Sequence, residues 1–177
     1  MWQKLSKSYP IQLEPIPLFL LFLTLYLTTS GYHSLPDQIP THFGPQGFPD
    51  AWGNKSEILI YPILCSVLYL GLTVLNILFA IVKDPRKLIN LPEKRKAALN
   101  DVQVEALRIF LNRSLFALKV LLGGMLTYSL YVTMEVAMGR ATSLGIPFTL
   151  FITAIIVLVG YMVWGSFRLT GTPKRAV

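Results

Sequence analysis

Residues 58–82 read ILIYPILCSVLYLGLTVLNILFAIV, an uninterrupted apolar run without a charged residue. A helix needs roughly 17–25 apolar residues to cross a bilayer core about 30 Å thick, so this run is long enough. Three further blocks have similar character, at 15–31, 115–138 and 146–167. Together with a composition that is 53% hydrophobic and 14% charged, they predict an all-α integral membrane protein with four transmembrane helices.

The 16 lysines and arginines are distributed unevenly between the connections of these blocks. Most precede the first block, lie between the second and third, or follow the fourth, whereas the two other connections hold only Lys55 and Arg140. Connections rich in Lys and Arg stay in the cytoplasm. Both termini are therefore expected to be cytoplasmic, and the net charge of +7 is explained by topology rather than by nucleic-acid binding.

These boundaries divide the chain into nine segments. In order they are a cytoplasmic interfacial N-terminus (1–14), helix 1 (15–31), an extracytoplasmic Pro/Gly-rich loop (32–57), helix 2 (58–82), a cytoplasmic basic connection (83–114), helix 3 (115–138), an extracytoplasmic turn (139–145), helix 4 (146–167) and a cytoplasmic basic tail (168–177).

Several polar residues and one proline lie in or beside the predicted spans. Lys119 is six residues from Arg113, so its ammonium is expected to extend back to the cytoplasmic headgroups, with a pair to Glu14 as the alternative. Asn76 is expected to hydrogen-bond a neighbouring helix. Pro62 is expected to kink the second span, because it removes a backbone hydrogen bond.

The extracytoplasmic loop contains LPDQIPTHFGPQGFPDAWGNK at residues 35–55. Its prolines and glycines disfavour a long helix and favour turns and extended segments. Three aromatic residues (Phe43, Phe48 and Trp52) are expected to fold the loop back onto the helix ends as an ordered cap, and Trp52→Ala is expected to disorder it. An Asp50–Lys55 pair is expected to close the loop. Asn54 and Glu57 have the spacing of a capping box, which would begin the second helix.

The cytoplasmic connection carries a helical pattern over residues 93–113. Its apolar residues recur every three or four positions, which predicts an amphipathic helix on the membrane surface. Lys94, Arg95 and Lys96 form its basic surface, which could contact anionic lipid headgroups or a cytoplasmic protein partner.

Candidate catalytic or metal-binding residues are confined to the extracytoplasmic loop: His33, Asp37, His42 and Asp50. Neither the two histidines nor the two aspartates have the spacing of a recognised metal motif. The sequence also lacks HExxH, GxSxG, CxxC and a glycine-rich phosphate loop. The protein is therefore expected not to be an enzyme, and no metal or other cofactor is expected.

The same loop resembles the signature of the SdpI-like family of bacterial membrane proteins, which reads approximately LP, IP, HF, G, PD, W, K before an apolar helix. The matching residues are Leu35-Pro36, Ile39-Pro40, His42-Phe43, Gly47, Pro49-Asp50, Trp52, Gly53 and Lys55. Gly44 and Phe48 stand where the family pattern often has Asn and Glu. The better-known members of that family protect against a secreted toxic protein and can hold a cytoplasmic repressor at the membrane.

The resemblance implies a non-catalytic protein of the bacterial inner membrane that acts in toxin immunity or signalling. A toxin-like or other protein would bind the outer loop. The residues expected to structure this loop or to take part in recognition are Pro40, His42, Phe43, Gly47, Asp50, Trp52 and Lys55. Two alternatives remain open. One is a small accessory subunit of a larger membrane complex, and the other is a membrane enzyme or transporter that uses His42 and Asp50.

Overall fold

The computed structural model of the protein describes residues 7–88 and 92–171. The first part of the predicted interfacial N-terminus (residues 1–6) and most of the basic tail (172–177) lie outside the described residues. Seven main elements follow in order: α1 (Pro15–Gly31), β1 (Gln38–Phe43), β2 (Pro49–Asn54), α2 (Ile60–Ile81), α3 (Glu93–Ala98), α4 (Asp101–Ala137) and α5 (Gly145–Thr170). Short 3-10 helices occupy Ile11–Leu13, Tyr32–Ser34, Lys55–Leu59 and Pro85–Leu88.

Four helical segments in the described residues are long and apolar enough to cross a membrane. They are Ile11–Ser34, Lys55–Ile81, Asp101–Ala137 and Gly145–Thr170. The all-α membrane fold predicted from the sequence is confirmed, and a two-stranded hairpin between α1 and α2 is added to it.

Helix α4 is the centre of the bundle, because it packs against α1, α2 and α5. Its 37 residues span about 55 Å, well beyond the roughly 30 Å of a bilayer core. The amphipathic helix expected over 93–113 is therefore not one helix, and its second part is continuous with the third span. The membrane boundary expected after 114 stays a prediction. The chain breaks after α3, at Leu99 and Asn100, and then continues in one helix to Ala137.

Two features of the α4 sequence explain this continuity: a cap at its start and the lack of a proline inside it. The Asn100 side chain accepts a hydrogen bond from the amide of Gln103 at 2.8 Å, and the Gln103 side chain accepts one from the amide of Asn100 at 3.2 Å. This reciprocal cap starts a helix at Asp101. No proline follows before Ala137, so no residue in the interior lacks a backbone donor.

The two ends of α2 are also held by specific residues. Pro62 is the third residue of α2, and proline is tolerated in a first helical turn. The kink expected there stays a prediction. At the other end, Arg108 of α4 donates to the carbonyls of Phe79, Ala80 and Val82 at 2.8–3.0 Å and so satisfies acceptors that the end of a helix leaves free.

Polar pairs join the helices inside the bundle. The Asn76 side chain donates to both the backbone carbonyl and the side-chain oxygen of Asn112, at 2.8 and 2.5 Å. This confirms the expected contact between Asn76 and a neighbouring helix. The hydroxyls of Thr24 and Thr127 lie 2.8 Å apart and join α1 to α4.

Lys119 lies at the centre of a buried polar cluster. Only 2% of its surface is exposed, and its ammonium pairs with Glu14 and donates to the hydroxyls of Tyr9 and Thr73, both at 3.1 Å. The expectation that the Lys119 ammonium extends to the headgroups is therefore wrong, and the alternative pair with Glu14 is the one that forms. Tyr69 of α2 donates to the same carboxylate at 3.1 Å.

Tyr9 closes this cluster from the segment that precedes α1. Its hydroxyl donates to Glu14, and its ring packs edge-on against Phe116. Burial and the hydrogen bond to Glu14 raise the pKa of Tyr9. The phenol therefore stays protonated and continues to act as a donor at neutral pH.

Replacement of Lys119 tests the contribution of this cluster to stability. Lys119→Met leaves the Glu14 carboxylate buried without its counterion, and we expect a loss of about 3 kcal/mol or more in the free energy of unfolding. The double variant Glu14→Gln, Lys119→Met removes both charges, and we expect it to recover most of that loss. Unfolding in detergent measures the stability of both variants. The control is Lys94→Met, a substitution at an exposed residue. Wild-type stability in Lys119→Met would contradict this account.

Candidate functional site

The hairpin is antiparallel, with Gln38 opposite Asn54 at its base and Phe43 opposite Pro49 near its tip. The register shifts twice: Trp52 faces Pro40 while the neighbouring Ala51 faces His42, and Pro49 faces Phe43, which leaves Asp50 as an extra residue on β2. Thr41 is therefore an extra residue on β1, a bulge of the kind that bends and twists a strand. Proline lacks a ladder donor and is tolerated here because each strand of a two-stranded sheet has a free edge.

The tip of the hairpin is a tight turn attached to the helical bundle. The amide of Gly44 donates to the carbonyl of Phe48 at 2.9 Å, and the amide of Gly47 donates to the carbonyl of Gly44 at 2.8 Å. Gly47 has a φ of 81°, which residues with a Cβ rarely adopt. The Gly47 carbonyl accepts a hydrogen bond from the amide of Leu144 at 2.9 Å, so the tip is joined to the connection between α4 and α5.

One side of the hairpin is buried against the bundle. Ile39 is 1% exposed and packs in a core cluster with Leu35, Ile58, Leu130 and Met134. Closer to the tip, Phe43 packs against a second buried cluster, formed by Val132, Val136 and Leu144. The expectation of an ordered loop is confirmed in this respect, and Phe43 does fold back onto the helices.

The base of the hairpin is closed by polar contacts. The amide and the ammonium of Lys55 contact the Asp37 carbonyl and carboxylate, at 3.0 and 2.9 Å. The predicted capping box is confirmed, since Asn54 accepts from the amide of Ser56 at 2.9 Å and Glu57 accepts from the amide of Asn54 at 3.1 Å. The hairpin therefore passes directly into the 3-10 turn that begins the second span.

The expected pair between Asp50 and Lys55 does not form, because Asp50 lies near the start of the extended strand β2 and Lys55 follows its end. Lys55 instead pairs with Asp37, and Asp50 contacts His42 across the hairpin, with Nδ1 and Oδ1 2.5 Å apart. His42 and Asp50 are both exposed. Two of the four candidate loop residues, Asp37 and His33, are not part of this contact: Asp37 is at the base, and the ring of His33 packs on Tyr32.

The other side of the hairpin presents large apolar side chains to the surroundings. Trp52 is 51% exposed and Phe48 is 57% exposed. The expectation that these two residues would pack onto the helix ends is therefore wrong. The pairing explains the difference: Ile39 is opposite Gly53 and Pro40 is opposite Trp52. Successive side chains of a strand point to opposite faces, so Trp52 lies on the face away from that of the buried Ile39. We call the exposed set of His42, Phe48, Asp50 and Trp52 the recognition face, after the role that we propose for it below.

A cavity of about 710 Å³ lies beneath the hairpin tip. The tip residues 41–47 form one wall, and the other walls come from α4 and α5. Its lining is largely apolar and includes Met125, Leu126, Phe148 and Ile152, with polar atoms from Tyr61 and Ser129. Sequence patterns gave no signal for this cavity, since the tip and α5 are brought together by the Leu144 backbone contact.

The remaining candidate residues lie elsewhere. Lys94 and Arg95 are exposed on α3, while Lys96 pairs with Glu93 at 2.9 Å. Within residues 7–88 and 92–171, no three His, Cys, Asp or Glu residues are grouped so that they could hold a metal ion. Any chemistry or binding at the hairpin would therefore depend on its His42–Asp50 pair and its exposed aromatic side chains.

Comparison with known proteins shows which family the chain belongs to. Residues 19–65 match a family described as a domain of unknown function (DUF1648). An uncharacterized protein of Archaeoglobus fulgidus is 31% identical over 150 residues, which make up 84% of this chain and 79% of the archaeal one. The chain belongs to the same family as this archaeal protein. The DUF1648 match covers most of α1, the whole hairpin and the start of α2, and no solved structure shows a significant match.

Two substitutions distinguish the buried side of the DUF1648 hairpin from its exposed side. Ile39→Ala leaves a cavity in the core, and we expect it to destabilise the protein by about 2–5 kcal/mol. Trp52→Ala, formerly expected to disorder the loop, should cost about 1 kcal/mol or less because half of its side chain is exposed. Unfolding in detergent and hydrogen exchange of the hairpin amides measure both. Equal losses of stability in Ile39→Ala and Trp52→Ala would mean that Trp52 also holds the hairpin in place.

Proposed function

We propose that the protein is a non-catalytic, multi-pass membrane protein whose recognition face binds a protein partner outside the membrane core. The observation that supports this most directly is the contrast between the two sides of the hairpin. One side is anchored through Ile39 and Phe43, while the other exposes Trp52 and Phe48 beside a polar pair. Exposed aromatic residues on a rigid frame are typical of binding hot spots, because little entropy is lost when they are covered.

The resemblance to the SdpI-like family narrows the proposal to toxin immunity or signalling. Its signature residues divide into two groups in this fold. Pro40, Phe43, Gly47 and Lys55 shape or anchor the hairpin, whereas Trp52 and the His42–Asp50 pair stand on the recognition face. A toxin-like protein would contact this second group, and a cytoplasmic partner would contact the basic surface formed by Lys94, Arg95 and Lys96.

An accessory subunit of a larger membrane complex is the second candidate. It is favoured by α5, whose most apolar stretch has no residue buried within the protein. This helix packs on α4 and leaves most of its circumference available for lipid or for a helix of another subunit. An enzyme or transporter that uses His42 and Asp50 is the third candidate. His42 lies on the wall of the cavity beneath the tip, but both side chains are exposed, so this candidate has less support than a binding role.

The proposed topology places the hairpin outside the cytoplasm and both termini inside, in the inner membrane if the source is bacterial. The basis is the lysine and arginine distribution. A single cysteine at Ser34, which is exposed beside the hairpin, should react with an impermeant maleimide added to intact cells. A cysteine at Lys94 should react only after the membrane is opened. Both are made in a Cys65→Ala background, since Cys65 is the only native cysteine, and the reverse pattern would invert the topology.

The recognition function predicts different effects for two tryptophans of similar exposure. Trp52 on the hairpin is 51% exposed and Trp164 on α5 is 55% exposed. Cells that lack the protein are grown in medium conditioned by their own species and complemented with each variant. We expect Trp52→Ala to lose protection at normal abundance, while Trp164→Ala and His42→Gln retain it.

The opposite result would favour another function. A stable His42→Gln protein that fails to protect, together with an active Trp52→Ala protein, would favour chemistry at the His42–Asp50 pair. If the wild-type protein gives no protection, immunity is excluded. Intact purification of a stoichiometric complex from the source membrane would then favour the accessory-subunit alternative.

A further inference from the structure

A second cavity lies between α4 and α5, at the end of the bundle opposite the hairpin. Its volume is about 600 Å³. The α4 wall runs from Ala106 to Ala117, about 16 Å along the helix, and the α5 wall includes Leu158, Tyr161 and Leu169. The ring of Phe110 packs so closely on Gly165 that a Cβ there would lie 2.2 Å from the ring, which fixes the spacing of the two helices beside this groove.

Arg113 is the one charged residue among the described residues that line the groove. It is exposed, and no hydrogen bond or ion pair joins it to the part of the chain that the structure describes. Its neighbour Arg108 differs, because Arg108 contacts Glu105 at 3.0 Å and caps the end of α2. The groove therefore combines apolar walls with one positive charge that the described residues do not balance.

The position of Arg113 along the helix corresponds to the depth of lipid headgroups. It lies two residues before the apolar block that begins at Leu115. Across the groove, Tyr161 packs on Phe110 with ring centroids 5.2 Å apart, and Trp164 packs on Tyr161 at 6.1 Å. Tyr and Trp are enriched at the membrane interface, so the guanidinium stands at the level of phosphate groups while the groove continues into the apolar region.

We propose that this groove binds one anionic phospholipid, with its phosphate on Arg113 and an acyl chain along Ala117 and Leu158. A guanidinium can bind a phosphate through two parallel hydrogen bonds. The walls offer the chain a largely apolar surface, in which Ser114 and Tyr161 are the uncharged polar residues. An anionic headgroup fits better than a zwitterionic one, because the ammonium of the latter would bring a second positive charge to a site that has no described acceptor for it.

The test compares lipid retention by four forms of the full-length protein. Wild type, Arg113→Gln, Ala117→Leu and the control Lys94→Gln are purified in a mild detergent and mixed with equal amounts of phosphatidylglycerol and phosphatidylcholine. Native mass spectrometry then counts the bound molecules. We expect the wild type to retain one phosphatidylglycerol, and Arg113→Gln to weaken its binding about fivefold, as is typical for one basic residue near the surface.

The two other variants separate a specific site from general attraction. Ala117→Leu keeps every charge but fills the groove, and we expect it to weaken retention as well. Lys94→Gln removes a charge from an exposed residue outside the groove, and we expect no change. Equal losses in Arg113→Gln and Lys94→Gln would overturn the proposal in favour of a diffuse surface effect.

Two further outcomes would also overturn it. Displacement of the lipid by soluble glycerol phosphate would show that the groove contributes nothing to binding. Equal retention of phosphatidylcholine and phosphatidylglycerol by the wild type would remove the role of the unbalanced charge. Thermal unfolding of each variant in the same detergent confirms that the compared proteins are folded.

Discussion

The arrangement of the bundle depends on the ion pair between Glu14 and Lys119. An isolated charge in an apolar interior costs several kcal/mol, so each of these groups requires the other. Glu14 lies immediately before α1, Lys119 is in the middle of α4, and Thr73 and Tyr69 bring α2 to the same point. The pair therefore fixes how three helices are positioned along one another, a specificity that apolar contacts between lipid-facing helices supply only weakly.

The hairpin is ordered because the helices on which it packs are held in fixed positions. A two-stranded hairpin is marginally stable alone in water, and here Ile39 and Phe43 pack in two clusters that contain side chains of α4 and of the segments beside it. Lys55 closes the base of the hairpin and Gly47 attaches its tip, so both ends of the hairpin are held in place. The exposed side of the sheet can therefore carry Trp52 without using it for folding, which is the condition for a side chain to be available to a partner.

Much of the fold could be predicted from the sequence because lipid imposes simple rules. The length of apolar blocks indicates spans, as for 58–82, and the Asn54–Glu57 spacing indicates a helix start through one local interaction. The Glu14–Lys119 pair was recognised only as an alternative. Its residues are 105 positions apart, and sequence cannot show that Tyr9 and Thr73 close over the ammonium.

The candidate site was predicted less well, for a related reason. The sequence identified the hairpin residues, but their roles depend on the register. The pairing of Ile39 with Gly53 and of Pro40 with Trp52 decides which side chains face the core, and the two register shifts beyond it bring Asp50 beside His42. The cavity beneath the tip and the continuity of α4 through residues 101–137 likewise follow from long-range packing and from the absence of a helix breaker, respectively.

The hydrogen bond from Leu144 to Gly47 has a mechanical meaning. It joins the tip of the hairpin to the residue immediately before α5, and α5 otherwise packs on α4. Phe43 of the hairpin and Phe148 of α5 also pack on the cluster around Leu144, so the tip and the start of α5 are joined by this hydrogen bond and by apolar contacts. A load applied to the tip would act on the first turn of α5, so the partner binding proposed for the hairpin would have a short path to a helix that reaches the opposite end of the bundle.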